Sequence, residues 1–159
     1  MPPKPTSADE AFKRALKFLS YRARSEAEVR SKLTRLGFPQ KNILSTLARL
    51  RSLNLLNDEI FARNWAWSRA ERRGYGPLKV AGELRQKGIS QQLVRQVLRE
   101  TFGQQGVKER AKSLLEKKFR DQDLNDRRVL RRAADFLQRR GYHDDVIAEL
   151  LREPAGIDE

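Results

Sequence analysis

Apolar residues recur along this chain at spacings of three and four, and no stretch alternates with period two long enough to read as a strand. "AFKRALKFLSYRAR" sets Phe12, Ala15, Leu16 and Leu19 on one helical face. "DEIFARNWAWSRAERR" sets Phe61, Trp65 and Ser68 along one stripe, and "VKERAKSLLEKKF" does the same with Val107, Ala111, Leu114 or Leu115, and Lys118 or Phe119. Each of these helices precedes a second pattern that is itself repeated. "KLTRLGFPQKNILSTL" at 32–47, "ELRQKGISQQLVRQVL" at 83–98 and "FLQRRGYHDDVIAELL" at 136–151 align on Gly37, Gly88 and Gly141. Four positions before each glycine stands Leu33, Leu84 or Leu137. One position after stands Phe38, Ile89 or Tyr142, and six after stands Ile43, Val94 or Ile147.

The repeated phrase spells helix, stop, helix. A glycine just past a helix end takes the left-handed conformation that terminates it, and the following residue then packs four positions behind the glycine. Phe38 on Leu33, Ile89 on Leu84 and Tyr142 on Leu137 are therefore expected contacts. Ser25 and Glu28 in "SEAE" match a capping box, Asn57 or Asp58 is placed to start the fourth helix, and Gly76-Pro77 the fifth. The pattern predicts nine helices in three units of three. These form an all-α, elongated tandem array of helix-turn-helix-like repeats over residues 10–56, 57–103 and 104–153. Residues 1–9 read as a disordered lead and 154–159 as a tail. A three-helix unit of about 50 residues has a small core and is marginal alone, so neighbours must support one another.

Charge adds a partner to this picture. The 159 residues carry a formal net charge of +13, distributed as +8 over residues 1–56, +4 over 57–103 and +1 over 104–159. Such a surplus favours a polyanion, and its distribution directs attention to the first two units. There is no cysteine, hence no disulfide framework and no thiolate metal site, as suits a reducing cytosol. No apolar run has the length of a membrane span, and "MPPKPTSADE" lacks the apolar core of a signal peptide.

Catalytic chemistry finds little support. His143, the only histidine, sits beside Asp144 and Asp145 where a helix begins, a position for a cap. Asp121, Asp123 and Asp126 form an acidic linker without the central glycine of a calcium loop. "RRGYGPLKVAGELRQKGIS" is rich in glycine and arginine, but it has neither the preceding strand nor the spacing of a phosphate loop, so its glycines punctuate helices. No metal or cofactor site is expected. Trp65 shares a face with Phe61, whereas Trp67 lies about 200° around the helix from Trp65. Among Arg63, Arg69, Arg72 and Arg73, Trp67 is placed to stack on a base, to anchor a protein contact, or to pack on the neighbouring unit.

"SEAEVRSKLTRLGF", "LLNDEIFARNW", "RRGYGPLKVAGELRQKGIS" and "FLQRRGY", in that order, resemble the RecX family of bacterial recombination regulators over residues 11–152. The resemblance implies tandem three-helix repeats and a cytoplasmic protein without chemistry of its own. It also implies binding to the RecA recombinase filament on DNA, with inhibition of strand exchange and of the RecA ATPase, in recombination, DNA repair and the SOS response. Trp67 departs from the family pattern, where a polar or small residue is expected. The contacts expected for RecA or DNA are Arg63, Trp67, Arg69, Arg72, Arg73, Lys79, Arg85 and Lys87, with Gly37, Gly88 and Gly141 as structural stops. The protein is expected to act as a monomer and to bind single- and double-stranded DNA weakly and without sequence preference. The alternative is an independent DNA-binding protein built from basic helical repeats.

Overall fold

The computed structural model of the chain describes residues 7–152, apart from the side chains of Gln104 and Gln105. Its elements are α1 (Ala8–Tyr21), α2 (Glu26–Arg35), α3 (Gln40–Ser52), α4 (Asp58–Arg73), α5 (Pro77–Gln86), α6 (Gln91–Lys118), α7 (Arg127–Arg140) and α8 (Asp144–Arg152). Gly103 interrupts α6 with φ 55 and ψ −178, so the element is two helices joined at a kink. Nine helical segments result, and no strand occurs among the described residues. α1 begins two residues before the expected unit start, because Ser7 caps it by accepting the Glu10 N–H at 3.1 Å. Residues 1–6 of the expected lead, and the expected tail, lie outside the described residues.

α1, α2 and α3 pack on one another, α4 and α5 pack with the first part of α6, and its second part packs with α7 and α8. Buried side chains fall into three clusters of eight to eleven residues, each a small core. The first runs from Ala11 to Leu56, the second from Phe61 to Phe102, the third from Ala111 to Ile147. Val107, just beyond the kink, packs against the second and third together.

The three stops are built alike. Gly37, Gly88 and Gly141 have φ of 86, 74 and 90. Their N–H groups donate to Thr34, Arg85 and Gln138, and the next residues, Phe38, Ile89 and Tyr142, donate to the carbonyls of Leu33, Leu84 and Leu137 at 3.1–3.2 Å. These paired bonds satisfy carbonyls that the helix end leaves without a partner. Each expected apolar pair, such as Phe38 with Leu33, is buried in one cluster. α3 ends the same way on Asn54, φ 56, with Leu55 donating to Leu50.

Units are joined where the stop of one meets the first turn of another's second helix. At the joint of units 2 and 3, the Gly76 N–H donates to the Arg140 carbonyl at 2.6 Å and the Leu78 N–H to the Gly141 carbonyl at 2.9 Å. Orphan donors at the start of α5 thus meet orphan acceptors at the end of α7, and the helix dipoles meet with opposite signs. At the joint of units 1 and 2, the Ser25 hydroxyl donates to the Lys87 carbonyl at 2.6 Å while accepting from Glu28 N–H at 3.2 Å. The expected capping box is only half made, because the Glu28 carboxylate is drawn outward to Lys87 at 2.7 Å and Arg22 at 3.2 Å. Burial pushes that carboxyl up, but the hydrogen bonds from Lys87 and Arg22 outweigh it and hold Glu28 below the usual carboxylate range.

Candidate nucleic-acid interface

α4 ends in Arg72 and Arg73, a basic last turn suited to the negative end of the helix dipole. Gly74 follows in the left-handed conformation, φ 66. A Cβ on Gly74 would stand 2.7 Å from Leu114 Cδ2, so the turn lies directly against the second part of α6. This apposition opens a cleft of about 900 Å³ between units 2 and 3. Arg72 and Arg73 line it from unit 2, and Arg110, Lys117, Lys118 and Arg140 line it from unit 3, against two carboxylates, Glu71 and Glu109.

One carboxylate is already neutralised, since Glu71 pairs with Arg110 at 2.5 Å. Arg72 and Lys117 have no ion-pair partner among the described residues. Arg140 lies 5.1 Å from the centroid of the Phe136 ring and donates to the Arg73 carbonyl, which fixes its guanidinium at the mouth of the joint. Tyr142 lines the floor, where burial pushes its hydroxyl up to about 12, so at neutral pH it adds no negative charge. An open groove with this excess of cations suits the phosphates of a nucleic-acid strand, and lysine and arginine contacts to phosphate carry no base specificity. Among the described residues no group of His, Cys, Asp or Glu is placed to hold a metal ion. No described helix is long and apolar enough to cross a membrane.

The eight residues expected from the sequence separate. Arg72 and Arg73 line the cleft. Arg63 is exposed on α4 and paired with Glu100 at 2.9 Å, which holds its guanidinium above the usual value. Arg85 is exposed, and Trp67 is 56% exposed, which excludes packing on the neighbouring unit as its main role. The other three have partners within the fold. Arg69 lies 4.3 Å from the Trp65 ring centroid and pairs with Glu83 at 3.0 Å. Lys87 clamps the first joint through Glu28. Lys79 is held at the second joint over the Tyr75 ring, with its ammonium toward the Arg139 carbonyl at 3.4 Å.

Four cleft cations, Arg110, Lys117, Lys118 and Arg140, come from the unit whose net charge is near zero. Carboxylates in the 121–126 linker and at the start of α8 cancel them in the sum but lie outside the cleft. The doublets Lys117-Lys118 and Arg139-Arg140, each at a helix end, were the available signal.

Family models described as the first, second and third three-helix domains of RecX match residues 11–50, 57–98 and 107–151. The chain belongs to the RecX family. "Regulatory protein RecX" of Mycolicibacterium smegmatis is 34% identical over 158 residues, covering 93% of this chain and 84% of the relative. The protein of the same name from Chlorobaculum tepidum is 33% identical over 142 residues, covering 89% and 86%. A crystal structure of RecX from Lactobacillus salivarius superposes with a TM-score of 0.77 at 22% identity, covering 92% of this chain and 95% of that one, a likeness of fold. A second crystal structure, of regulatory protein RecX, gives 0.73 at 27% identity, covering 90% and 70%. The RecX relatives thus share both the three-unit order and the all-helical architecture.

Proposed function

We propose that this RecX-family chain is a non-enzymatic cytoplasmic regulator that binds the RecA–DNA filament and inhibits RecA strand exchange and ATPase activity. The observation that carries this is the cleft between units 2 and 3, where both units present cations to one groove in a chain of regulatory relatives. The cleft seats phosphates of the filament's DNA, and the array lays the remaining units along the protein. Binding to DNA alone is weak and indifferent to sequence, because it rests on phosphate neutralisation. One copy supplies both walls of the cleft, so a monomer suffices.

The test is a titration of variants against RecA turning over ATP on single-stranded DNA. Arg72→Glu with Arg73→Glu weakens inhibition at least tenfold. Lys13→Glu with Lys17→Glu, an equal charge change on the exposed face of α1, weakens it less than threefold. Equal losses would reduce the cleft to a share of bulk charge. Tight DNA binding by the wild type, unaltered by RecA, would favour the independent DNA-binding protein.

A further inference from the structure

The repeat makes a second groove of the same construction. Gly37 and Gly88 are 51 residues apart, which sets Arg22 in register with Arg73 and Ala23 with Gly74. The turn 22–24 after α1 lies against α4, as the turn after α4 lies against the second part of α6. The space between them is about 340 Å³. Its chemistry is the opposite of the basic cleft. Leu55 and Ile60, 47% and 56% exposed, form its lip, and Phe61 and Trp65 lie deeper. Arg22 and Arg24 stand on the rim, with Asn64 on the wall, and no carboxylate lines the groove.

The side chains decide what class of molecule fits. A nucleobase would need a free aromatic face. Phe61 is buried and stacks on Trp65 at 5.7 Å, and cations lie near the Trp65 ring, Arg69 at 4.3 Å and Lys87 at 4.9 Å from its centroid. What remains at the surface is aliphatic, and Leu55 and Ile60 favour an apolar side chain over a polar base. The rim selects the flank of that side chain. Arg24 has no carboxylate bonded to it among the described residues. Its guanidinium sits over the Phe18 ring at 3.8 Å, with Arg22 beside it. Arg22 is already bonded to the Glu28 carboxylate at 3.2 Å, so the Arg24 guanidinium is the one on the rim that calls for a carboxylate from outside.

The groove also runs on toward the cleft. Ile60, Asn64, Trp67 and Glu71 are exposed and lie within about 40° of one stripe on α4. Ile60 and Asn64 line the groove and Glu71 lines the cleft, about 16 Å further along the helix, with Trp67 between.

We propose that the groove between units 1 and 2 is a protein-docking site. It takes one aliphatic or aromatic side chain from an acidic segment of the partner, and Trp67 extends the contact toward the phosphate-seating cleft. The inference rests on the filament-binding reading and assigns its protein half. The two grooves share one geometry and divide their targets, the apolar one for protein and the basic one for phosphate.

Affinity for RecA filaments on single-stranded DNA, and for the same oligonucleotide alone, tests this with Leu55→Gln/Ile60→Gln and Leu55→Met/Ile60→Met. Both side chains are exposed, and an unchanged helical signal by circular dichroism is the entry condition. The glutamine pair is expected to lose tenfold or more for the filament and less than twofold for the free oligonucleotide. The methionine pair, which keeps the apolar contact, is expected to stay within threefold for both. Unchanged filament affinity in the glutamine pair overturns the docking site. Equal loss for filament and oligonucleotide overturns it in favour of a nucleic-acid groove. Should the wild type itself bind filament no better than oligonucleotide, the filament reading fails and takes this inference with it, an outcome read without any variant.

Discussion

Gly37, Gly88 and Gly141 share a backbone conformation, but a methyl group added at each meets different surroundings. At Gly37 it enters open space, since that stop faces no other unit. At Gly88 it stands 2.3 Å from Ala27 Cβ, and at Gly141 it stands 2.5 Å from the Lys79 backbone nitrogen and 2.9 Å from its Cα. Gly37→Ala is therefore expected to cost only the left-handed strain, about 1–2 kcal/mol. Gly141→Ala adds a clash with backbone that cannot yield, for about 2–4 kcal/mol in all, with Gly88→Ala between them. Urea unfolding measures the series, and equal losses at all three would remove the joints from the account. Ala27→Gly should restore part of what Gly88→Ala loses, as a double-mutant cycle would show. The sequence made the shared conformation legible, because a glycine before an apolar residue and four after leucine spells a stop. It could not show which stops carry a neighbour, since Ala27 and Lys79 lie 61 and 62 residues away.

Among the helices, boundaries were readable wherever a cap or stop is written in local chemistry. Ser25 and Asn57 cap α2 and α4 and Pro77 opens α5, as expected; Ser90 caps α6, and Asp126, read as part of an acidic linker, caps α7. The kink at Gly103 falls at the expected end of the second unit, but Gln and Gly follow it and the backbone stays helical beyond, so no cap or stop marks it. Its cost is nonetheless definite. A φ of 55 with ψ near 180 lies in a region open almost only to glycine. Gly82, within α5, has ordinary helical geometry, and a Cβ at either glycine meets nothing within 4 Å. Gly103→Ala is thus expected to destabilise by about 1–3 kcal/mol, and Gly82→Ala to stabilise by about 0.5–1 kcal/mol. Thermal unfolding with circular dichroism reads both, and a stabilising Gly103→Ala would show that the kink is not needed. The kink matters to function because the second part of α6 forms the unit 3 wall of the cleft.

At the scale of the molecule, charge summed along the chain and charge assembled in space give different maps. The sum assigns +8, +4 and +1 to successive units, yet the cleft draws four of its six cations from the third. Folding also gives Arg69, Lys79 and Lys87 partners within the chain, which no count of lysine and arginine reveals. The central claim is that cations from two units act on phosphates as one surface. The salt dependence of single-stranded DNA binding by the whole chain tests it most directly, because each phosphate neutralised contributes about 0.7 to the slope of log K against log salt. Arg72→Ala with Arg73→Ala and Lys117→Ala with Lys118→Ala should each lower that slope by about 0.7–1.4. Lys13→Ala with Lys17→Ala should leave it unchanged. A slope that falls for the unit 2 pair but not for the unit 3 pair, or equally for all three, would contradict a shared cleft.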